Sequence, residues 1–440
     1  MKDESEIQDS PSSGSLTPQQ IRELRFRGSA PPFGLKTFQA LAYRDYRYLW
    51  LGQISHAFSL WMEQIARPVL VLALTGSALH LGMVLAARMV PQIVLGLWAG
   101  VIADWFDRKK VLIISKSGAA VVNFVLAGLI LSGNVELWHV YCTTMVKGLF
   151  MALDQPARQS LIPSIVPEGQ VTNAVALNSA TMNMMRIGGA AISGLLLAAF
   201  GIGWTFMAVA VVFLGAVFFT AKIQVPSNAV TTRKNLRGAS ESLKEGFRFA
   251  WNSPSIRPVI ILAAVFFAFG MSYMQVFAPL FAKQVMEIGD KGFGFLMSTT
   301  GAGALVGALT LATINPQKRR GLALMGVMIT FGFMLILFSI STFGAPIPIS
   351  FGIIALIGMF QTPYHALQNA ILLDSAPEDM RGRVMALVSL DRVVIMGGGT
   401  LAGFLAEVLG AQIAQIIFGS MCILGVLFLG SVIPDLRKIQ

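Results

Sequence analysis

Long apolar runs separated by short polar stretches fill most of this chain. Twelve runs can be distinguished, and a helix needs about 20 apolar residues to cross a bilayer. In hydrocarbon each backbone N–H and C=O must be paired within its own segment, so each run is predicted to be a helix. The runs are Tyr48–Leu74, Ala78–Ala103, Val111–Leu131, Leu137–Leu153, Leu177–Phe200, Trp204–Ala221, Val259–Ala282, Phe293–Ile314, Leu322–Phe343, Ile347–Leu367, Val384–Leu409 and Ile413–Ile433. The pattern predicts an all-α membrane protein with twelve transmembrane helices.

The composition excludes an ordinary soluble protein. Of the 440 residues, 55% are hydrophobic and only 12% are charged, whereas a soluble domain carries about 25% charged residues. Most of the surface must therefore face lipid. The chain has no GxxxxGK[ST], HExxH or GxSxG motif, its four histidines are scattered, and its two cysteines lie in apolar runs. We therefore expect no ATP-driven pump, no enzyme and no metal or other cofactor.

The basic residues predict the orientation in the membrane. Of the 33 lysines and arginines, 26 lie in the termini and in alternate loops on one side, whereas the opposite loops hold only Lys283 and Lys291. This positive-inside pattern predicts that both termini are cytoplasmic, in a bacterial inner membrane. It also explains the net charge of +11 without nucleic acid.

The predicted organisation has two bundles of six helices. The segment KGLFMALDQP at residues 147–156 matches IGMFQTPYHA at 357–366 at an offset of 210, and the same offset aligns Pro167-Glu168 with Pro377-Glu378. Repeats of this kind predict two pseudo-twofold-related bundles with a substrate site between them. The predicted segments are a disordered cytoplasmic tail without a signal peptide (1–46), the N-terminal bundle (47–222), a cytoplasmic linker (223–256), the C-terminal bundle (257–434) and a cytoplasmic C-terminus (435–440).

Loop motifs suggest a family. Residues 100–110 are GVIADWFDRKK, and a Gly and an Asp followed by a basic cluster resemble the loop signature of the major facilitator superfamily. The segments LTGS (74–77), PARQ (156–159) and NAVALN (173–178) match one efflux branch of it. The chain thus resembles the siderophore-exporter and macrolide-efflux group of drug:proton antiporters over nearly all residues beyond the tail.

The resemblance implies a conformational latch at the cytoplasmic ends of the helices. Asp104 would dock on backbone amides at the start of helix eleven, because a helix N-terminus attracts a carboxylate, and Arg108 would pair with Asp154. A solvated basic loop that only sets the topology is the alternative. The implied latch residues are Gly100, Asp104, Arg108 and Asp154.

Glycines recur at corresponding positions of the two halves. Helix five resembles the antiporter motif, with Ala190 in place of its proline. Small residues let helices approach closely. Packing between the halves is therefore predicted for Gly189, Gly194, Gly398 and Gly403.

Ionisable residues inside the spans are the candidate functional groups. Each costs a few kcal/mol or more in hydrocarbon and should face a water-filled cavity or a partner. At about 1.5 Å per residue, Glu63 and Arg88 lie at one depth on adjacent helices, and Arg67 is one turn from Glu63. We predict a Glu63–Arg67–Arg88 cluster, with a static ion pair as the alternative. The seven residues are Glu63, Arg67, Arg88, Lys147, Arg186, Asp391 and Arg392.

Proton coupling requires a group that binds and releases a proton within the cavity. Glu63 and Asp391 are the carboxylates at suitable depth, although Asp391 has the alternative role of neutralising Arg392 or Arg186. Five cations against two carboxylates favour an anionic or phenolic amphiphile, a catecholate siderophore for example. The predicted cavity residues are Arg67, Arg88, Lys147, Arg186, Arg392, Tyr273, Gln275, Phe360, Gln361 and Tyr364.

The sequence therefore predicts a monomeric, proton-coupled secondary transporter that exports a small amphiphile by alternating access. An importer or facilitator of a small metabolite is the first alternative, because direction is set by gradients and kinetics. A non-transporting membrane scaffold or receptor is a more distant one. The expected partners are a small-molecule substrate, protons and the lipid bilayer.

Overall fold

The computed structural model describes residues 36–224, 245–314, 319–388, 391–433 and 436, and the regular structure in these ranges is helical. A short 3-10 helix, Lys36–Ala42, comes first. The longer helices are α1 (Arg44–Thr75), α2 (Ala78–Trp105), α3 (Arg108–Leu131), α4 (Leu137–Ile165), α5 (Val171–Ala221), α6 (Ile256–Val285), α7 (Gly289–Ile314), α8 (Arg320–Ser341), α9 (Ile347–Ser375), α10 (Glu378–Val388), α11 (Asp391–Leu409) and α12 (Ala411–Val432).

The described residues begin inside the segment predicted to be a disordered tail. Ala40 and Leu41 are buried against the N-terminal helices, and the backbone N–H of Ala40 donates to Asn173 at 3.1 Å. The predicted tail (1–46) thus includes residues that the structure places in helices, namely Lys36–Ala42 and the start of α1. Residues 1–35, most of the predicted linker (225–244) and most of the C-terminus lie outside the described residues. The described end of the linker, residues 245–252, is helical.

Ten helices of the described residues are long and apolar enough to cross a membrane: α1 to α3, α5 to α9, α11 and α12. Their outer surfaces carry large exposed apolar side chains, such as Phe218, Leu424 and Phe428. A soluble protein rarely exposes so much contiguous apolar surface. The structure is therefore that of a multi-pass membrane protein. Helix α4 is not among the ten, and it carries the charged residues Lys147 and Asp154.

Helix α5 is 51 residues long and is interrupted at Gly201, which has φ 79° and ψ 179°. The two parts of α5 lie beside α1 in opposite directions. As the residue number along α1 increases, the number of the contacting α5 residue increases for the part of α5 before Gly201 and decreases for the part after it. The pairs are Trp50 with Thr181, Met62 with Ser193, Gly52 with Thr220 and Ser59 with Val209. The chain therefore reverses direction at Gly201, and each part is long enough to cross a bilayer.

Helix α6 contains three π-helical turns, at Phe266–Gly270, Tyr273–Phe277 and Phe281–Val285. Wide turns of this type are frequent at functional sites. Two of them direct aromatic rings into the core: Phe266 stacks on Tyr364 with ring centroids 3.7 Å apart, and Phe281 meets Phe338 at 5.0 Å. The core of the second half is thus built on aromatic side chains around α6.

Candidate functional site

Glu63 is the centre of a buried ion cluster between α1 and α4. Its carboxylate accepts two hydrogen bonds from the Arg67 guanidinium, at 3.0 Å from Nε and 2.6 Å from Nη2. The same carboxylate forms an ion pair with the Lys147 ammonium. The side chains of Glu63, Arg67 and Lys147 are each less than a tenth exposed. The predicted pair of Glu63 with Arg67 is present, and Lys147 joins it from α4.

Arg88 reaches the same region through a different partner. Its Nη1 donates to Gln64 Oε1 at 2.7 Å. The predicted direct contact between Arg88 and Glu63 is therefore not found. Arg88 nevertheless lines a cavity of about 180 Å³ together with Glu63, Gln64, Lys147 and Trp61. Met89 and Gln92 of α2 also line this cavity. The Glu63 site therefore consists of one carboxylate, that of Glu63, and three cations, Arg67, Arg88 and Lys147.

A smaller cavity connects this cluster to the second half of the chain. Arg67, Arg88 and Thr144 line it on one side and Gln275 of α6 lines it on the other; its volume is about 30 Å³, enough for about one water molecule. Gln275 thus lies beside the cluster, as expected for a cavity residue. Gln64, which is not among the predicted cavity residues, lines both cavities.

Arg186 contacts the second half from α5. Its Nη1 donates to Gln361 Oε1 of α9 at 3.4 Å, and its guanidinium lies over the Trp61 ring at 5.7 Å. The Nε and Nη2 atoms of Arg186 are buried without a hydrogen-bond partner among the described residues. Buried polar groups are normally satisfied. Arg186 is thus a buried cation with two free donors at the boundary between the halves.

The aromatic candidates lie in the packing core of the second half. Tyr273 and Tyr364 are fully buried, and Tyr364 is held in the stack with Phe266. Phe360 is partly buried against the same core. The structure places these rings among other aromatic side chains, where they pack.

Asp391 and Arg392 begin helix α11, and both are partly exposed. Arg392 Nη2 donates across to Gln155 of α4 at 3.3 Å. Within the described ranges, no hydrogen bond or ion pair joins Asp391 to Glu63. The two candidate proton carriers therefore occupy separate environments.

The residues of the implied latch are only partly described. Arg108 Nη1 donates to the carbonyl oxygen of Ser160 at 3.0 Å, while Asp154 accepts from Arg158 Nε at 3.3 Å. Arg108 and Asp154 therefore contact different groups of α4, and the implied ion pair between them is not found among the described residues. The Asp104 side chain and the surroundings of Gly100 lie outside the described residues, so their docking stays a prediction.

The four selected glycines make two kinds of contact. A Cβ at Gly194 would lie 2.8 Å from Gly294 Cα, and one at Gly403 would lie 2.7 Å from the Ala78 oxygen. These two contacts join the halves. Gly189 packs on α1 and Gly398 on α6, within their own halves. The partner backbone oxygens are those of Phe58 and Ala268, 210 positions apart.

Comparison with known proteins identifies the family. A family model described as a transmembrane secretion effector matches residues 35–439. The chain belongs to this family of the major facilitator superfamily. It is 27% identical over 356 residues to the staphyloferrin A transporter of Staphylococcus aureus, covering 80% of this chain and 86% of that protein. It is 26% identical over 405 residues to the enterobactin exporter EntS of Escherichia coli O1:K1, covering 90% and 93%.

The fold of this chain is that of solved transporters. The crystal structure of a bacterial homologue of the iron transporter ferroportin, in an inward-facing state, superposes with a TM-score of 0.70. The superposition covers 90% of this chain and 99% of that one at 14% identity, which bears on the fold alone. The relatives are transporters and not enzymes. The predicted family and the absence of enzyme character are thereby confirmed.

The halves of this major facilitator protein are joined at the end where α1 passes into α2. Glu407 of α11 accepts from the backbone N–H groups of Ala78 and Leu79 at 2.6 and 3.2 Å, and from Ser77 Oγ at 2.9 Å. Gln284 Nε2 donates to the Gly76 oxygen at 3.0 Å. A carboxylate at a helix N-terminus is favoured by the unpaired amides and the helix dipole.

Proposed function

We propose that this chain is a proton-coupled secondary transporter that exports a small, amphiphilic, anionic molecule by alternating access. The observation that carries the proposal is the buried Glu63 site, in which one carboxylate lies among Arg67, Lys147 and Arg88 beside a cavity. Charged groups at membrane depth are costly and generally serve transport or proton movement. An ion cluster open to a cavity between helices fits both uses.

The proposed topology has twelve spans in two pseudo-twofold bundles. The reversal at Gly201 supports counting α5 as two crossings. Helix α4 supplies one more, because its charged residues Lys147 and Asp154 are buried in ion pairs with Glu63 and Arg158. Added to the other apolar helices, these give six crossings before the linker and six after it. The matched packing of Gly189 on α1 and Gly398 on α6 supports the pseudo-twofold relation. Cytoplasmic termini, a bacterial inner membrane and a monomeric state complete this proposal.

Alternating access is supported by the position of the contacts between the halves. With cytoplasmic termini, the Glu407 and Gln284 contacts lie at the outer end of the bundle, and so do Gly194 and Gly403. Outward opening would then require these contacts to separate while the cytoplasmic ends close. Rocking of two bundles about a central site has this geometry.

Glu63 is the proposed proton carrier, with Asp391 second. When Glu63 is ionised, its charge is balanced by Arg67 and Lys147. When it takes up a proton, both cations are freed to hold an anion. Proton binding and substrate binding thereby change the same local charge, which is the basis of coupling.

The proposed substrate is an anion with an apolar body, a siderophore such as enterobactin or staphyloferrin A. The uncompensated cations of the cavity and the free donors of Arg186 support this class, because buried guanidinium groups bind carboxylates and other oxyanions strongly. Trp61 and Met151 supply apolar cavity walls. The cited relatives transport siderophores.

Everted membrane vesicles containing the full chain test this function. With an acidic interior, they should accumulate enterobactin or staphyloferrin A, and collapse of the pH gradient should abolish the accumulation. Glu63→Gln should remove gradient-driven accumulation while binding remains measurable. Accumulation of the cationic dye ethidium in place of either anion would overturn the substrate class. Gradient-driven accumulation only in right-side-out vesicles would identify an importer.

A further inference from the structure

Helices α1 and α4 are connected by two charged pairs at equal spacing. Glu63 of α1 pairs with Lys147 of α4, and His56 of α1 lies beside Asp154 of α4, with His56 Nε2 3.9 Å from Asp154 Oδ2. Each helix separates its two members by seven residues, which is about two turns, so all four side chains lie on the facing surfaces. The two pairs are therefore about 10 Å apart along the helix axis.

The ring of Phe213, from α5, lies between the two pairs. Lys147 Nζ lies 4.6 Å from its centroid, and the His56 ring meets its edge with centroids 5.5 Å apart. Phe213 is fully buried. The aromatic ring thus separates two polar centres that face each other across it.

The pair of His56 and Asp154, here called the inner pair, is buried and lacks some of its hydrogen bonds. His56 and Asp154 are 3% and 2% exposed, and His56 Nδ1 and Asp154 Oδ1 have no hydrogen-bond partner among the described residues. Buried polar atoms are nearly always paired, so two orphaned atoms in one contact require an explanation. Water or an added proton that arrives during the transport cycle would satisfy them.

Cations surround His56 on the side away from α1. Arg158 and Lys147 of α4 and Lys116 of α3 act on its charge, together with Asp154. Arg158 donates to Asp154, and Lys116 Nζ donates to Thr220 Oγ1 at 2.9 Å. On α1 itself, Glu63 lies two turns away. The inner pair thus lies within a group of charged side chains from α1, α3 and α4.

We propose that His56 and Asp154 form a second proton-binding site, which passes protons between Glu63 and the cytoplasm. This inference rests on the proposed proton coupling at Glu63. His56 lies nearer than Glu63 to the predicted cytoplasmic start of α1, and Asp154 nearer than Lys147 to the cytoplasmic end of α4. The inner pair therefore lies between the cavity and the cytoplasm.

The proton balance of each transfer is simple. Protonated Glu63 loses one proton to water and becomes a carboxylate held by Arg67 and Lys147. One proton then binds an imidazole nitrogen of His56, and the resulting imidazolium is held by the Asp154 carboxylate. Loss of that proton to cytoplasmic water restores neutral His56. Imidazole suits this role because its ordinary protonation range lies near neutral pH.

The test compares gradient-driven transport with counterflow in proteoliposomes of the full chain, using radiolabelled enterobactin. Counterflow exchanges substrate without net proton movement. His56→Gln and Asp154→Asn should lower gradient-driven accumulation at least tenfold and leave counterflow within about twofold of the wild type. The matched control is His80→Gln, which removes a partly buried histidine whose Nδ1 lies 2.9 Å from the Tyr141 hydroxyl. This control should behave as the wild type.

The outcomes separate the two proposals. If the wild type shows no gradient-driven accumulation of enterobactin or staphyloferrin A, proton coupling itself fails. If the wild type is coupled and both inner variants remain coupled, only the second site is overturned. If both inner variants lose counterflow together with coupling, the pair is structural and the second site is likewise overturned.

Discussion

Glu407 on α11 accepts a hydrogen bond from the backbone N–H of Ala78, with a donor–acceptor distance of 2.6 Å, across the boundary between the two halves. The two residues are 329 positions apart in sequence. Ala78 is the first residue of α2, so the carboxylate occupies the place where the helix has unpaired amides. The contact therefore connects the two halves through one side chain, and its loss should be visible in how they move.

Glu407→Ala should favour separation of the halves at the outer end. Loss of a capping carboxylate costs about 0.5–2 kcal/mol, enough to change a two-state population ratio severalfold or more. Spin labels at Ser132→Cys and Phe343→Cys, in a Cys142→Ser background, would report the distance between the outer ends. We expect a larger population of long distances than in the parent.

Glu136→Ala is the control for Glu407, since Glu136 caps α4 within its own half. It should leave the distance distribution unchanged. Equal distributions for Glu407→Ala and the parent protein would show that Glu407 does not hold the outer ends together.

Gly194→Ala should destabilise the protein. The added methyl would lie 2.8 Å from Gly294 Cα and 2.9 Å from the Asp290 oxygen, both in the opposite half. Overpacking of this kind costs about 1–3 kcal/mol. Thermal unfolding in detergent should show a lower Tm. Gly326→Ala on α8 is the matched control, because a Cβ there meets nothing within 4 Å; it should leave Tm unchanged or raise it. A Tm for Gly194→Ala at or above the wild-type value would contradict close packing between the halves.

The helices could be predicted from the sequence because the bilayer sets their length and hydropathy. Eleven of the twelve predicted apolar segments overlap the ten helices that are long and apolar enough to cross a membrane, because α5 contains two predicted runs in one interrupted helix; the remaining segment lies in α4. The family followed from short loop motifs and is confirmed. Both the apolar helices and the loop motifs can be recognised from short, continuous stretches of sequence.

The partners within the site were harder to predict. Depth arithmetic placed Glu63 and Arg88 at one level, but it does not determine the direction in which each side chain points. The direction in which each side chain leaves its helix axis places Arg88 against Gln64 and Lys147 against Glu63. The His56–Asp154 pair carried a usable signal, the seven-residue spacing shared with Glu63 and Lys147. This spacing predicts the contact only if α1 and α4 are known to face each other, and the depth of the residues does not show that.

Gly201→Ala should destabilise the turn within α5. The backbone at Gly201 has φ 79° and ψ 179°, a region that is essentially restricted to glycine and costs other residues of order 1–3 kcal/mol. A Cβ there meets nothing within 4 Å, so the penalty should come from the backbone alone. Unfolding in SDS would measure it. Gly128→Ala, in the interior of α3 with equally open surroundings, should stabilise slightly. If both variants unfolded alike, the reversal at Gly201 would not depend on glycine.

The ion pair of Glu63 and Lys147 should behave as a coupled unit in a double-mutant cycle. Removing one partner of a buried pair leaves an uncompensated charge and typically costs about 3–5 kcal/mol. Glu63→Gln should cost more than Lys147→Gln, because it leaves both Lys147 and Arg67 unpaired, whereas Lys147→Gln leaves Glu63 with Arg67. The double variant should be more stable than the sum of the single losses predicts. The free energy of unfolding of each variant, measured in SDS, gives the coupling.

The pair Lys283 and Asp290, 2.6 Å apart and partly exposed, is the matched control and should show a coupling of about 0–1 kcal/mol. Strict additivity at Glu63 and Lys147 would mean that water already solvates both groups, and the Glu63 site would then lack the desolvation on which its proposed role in proton coupling depends.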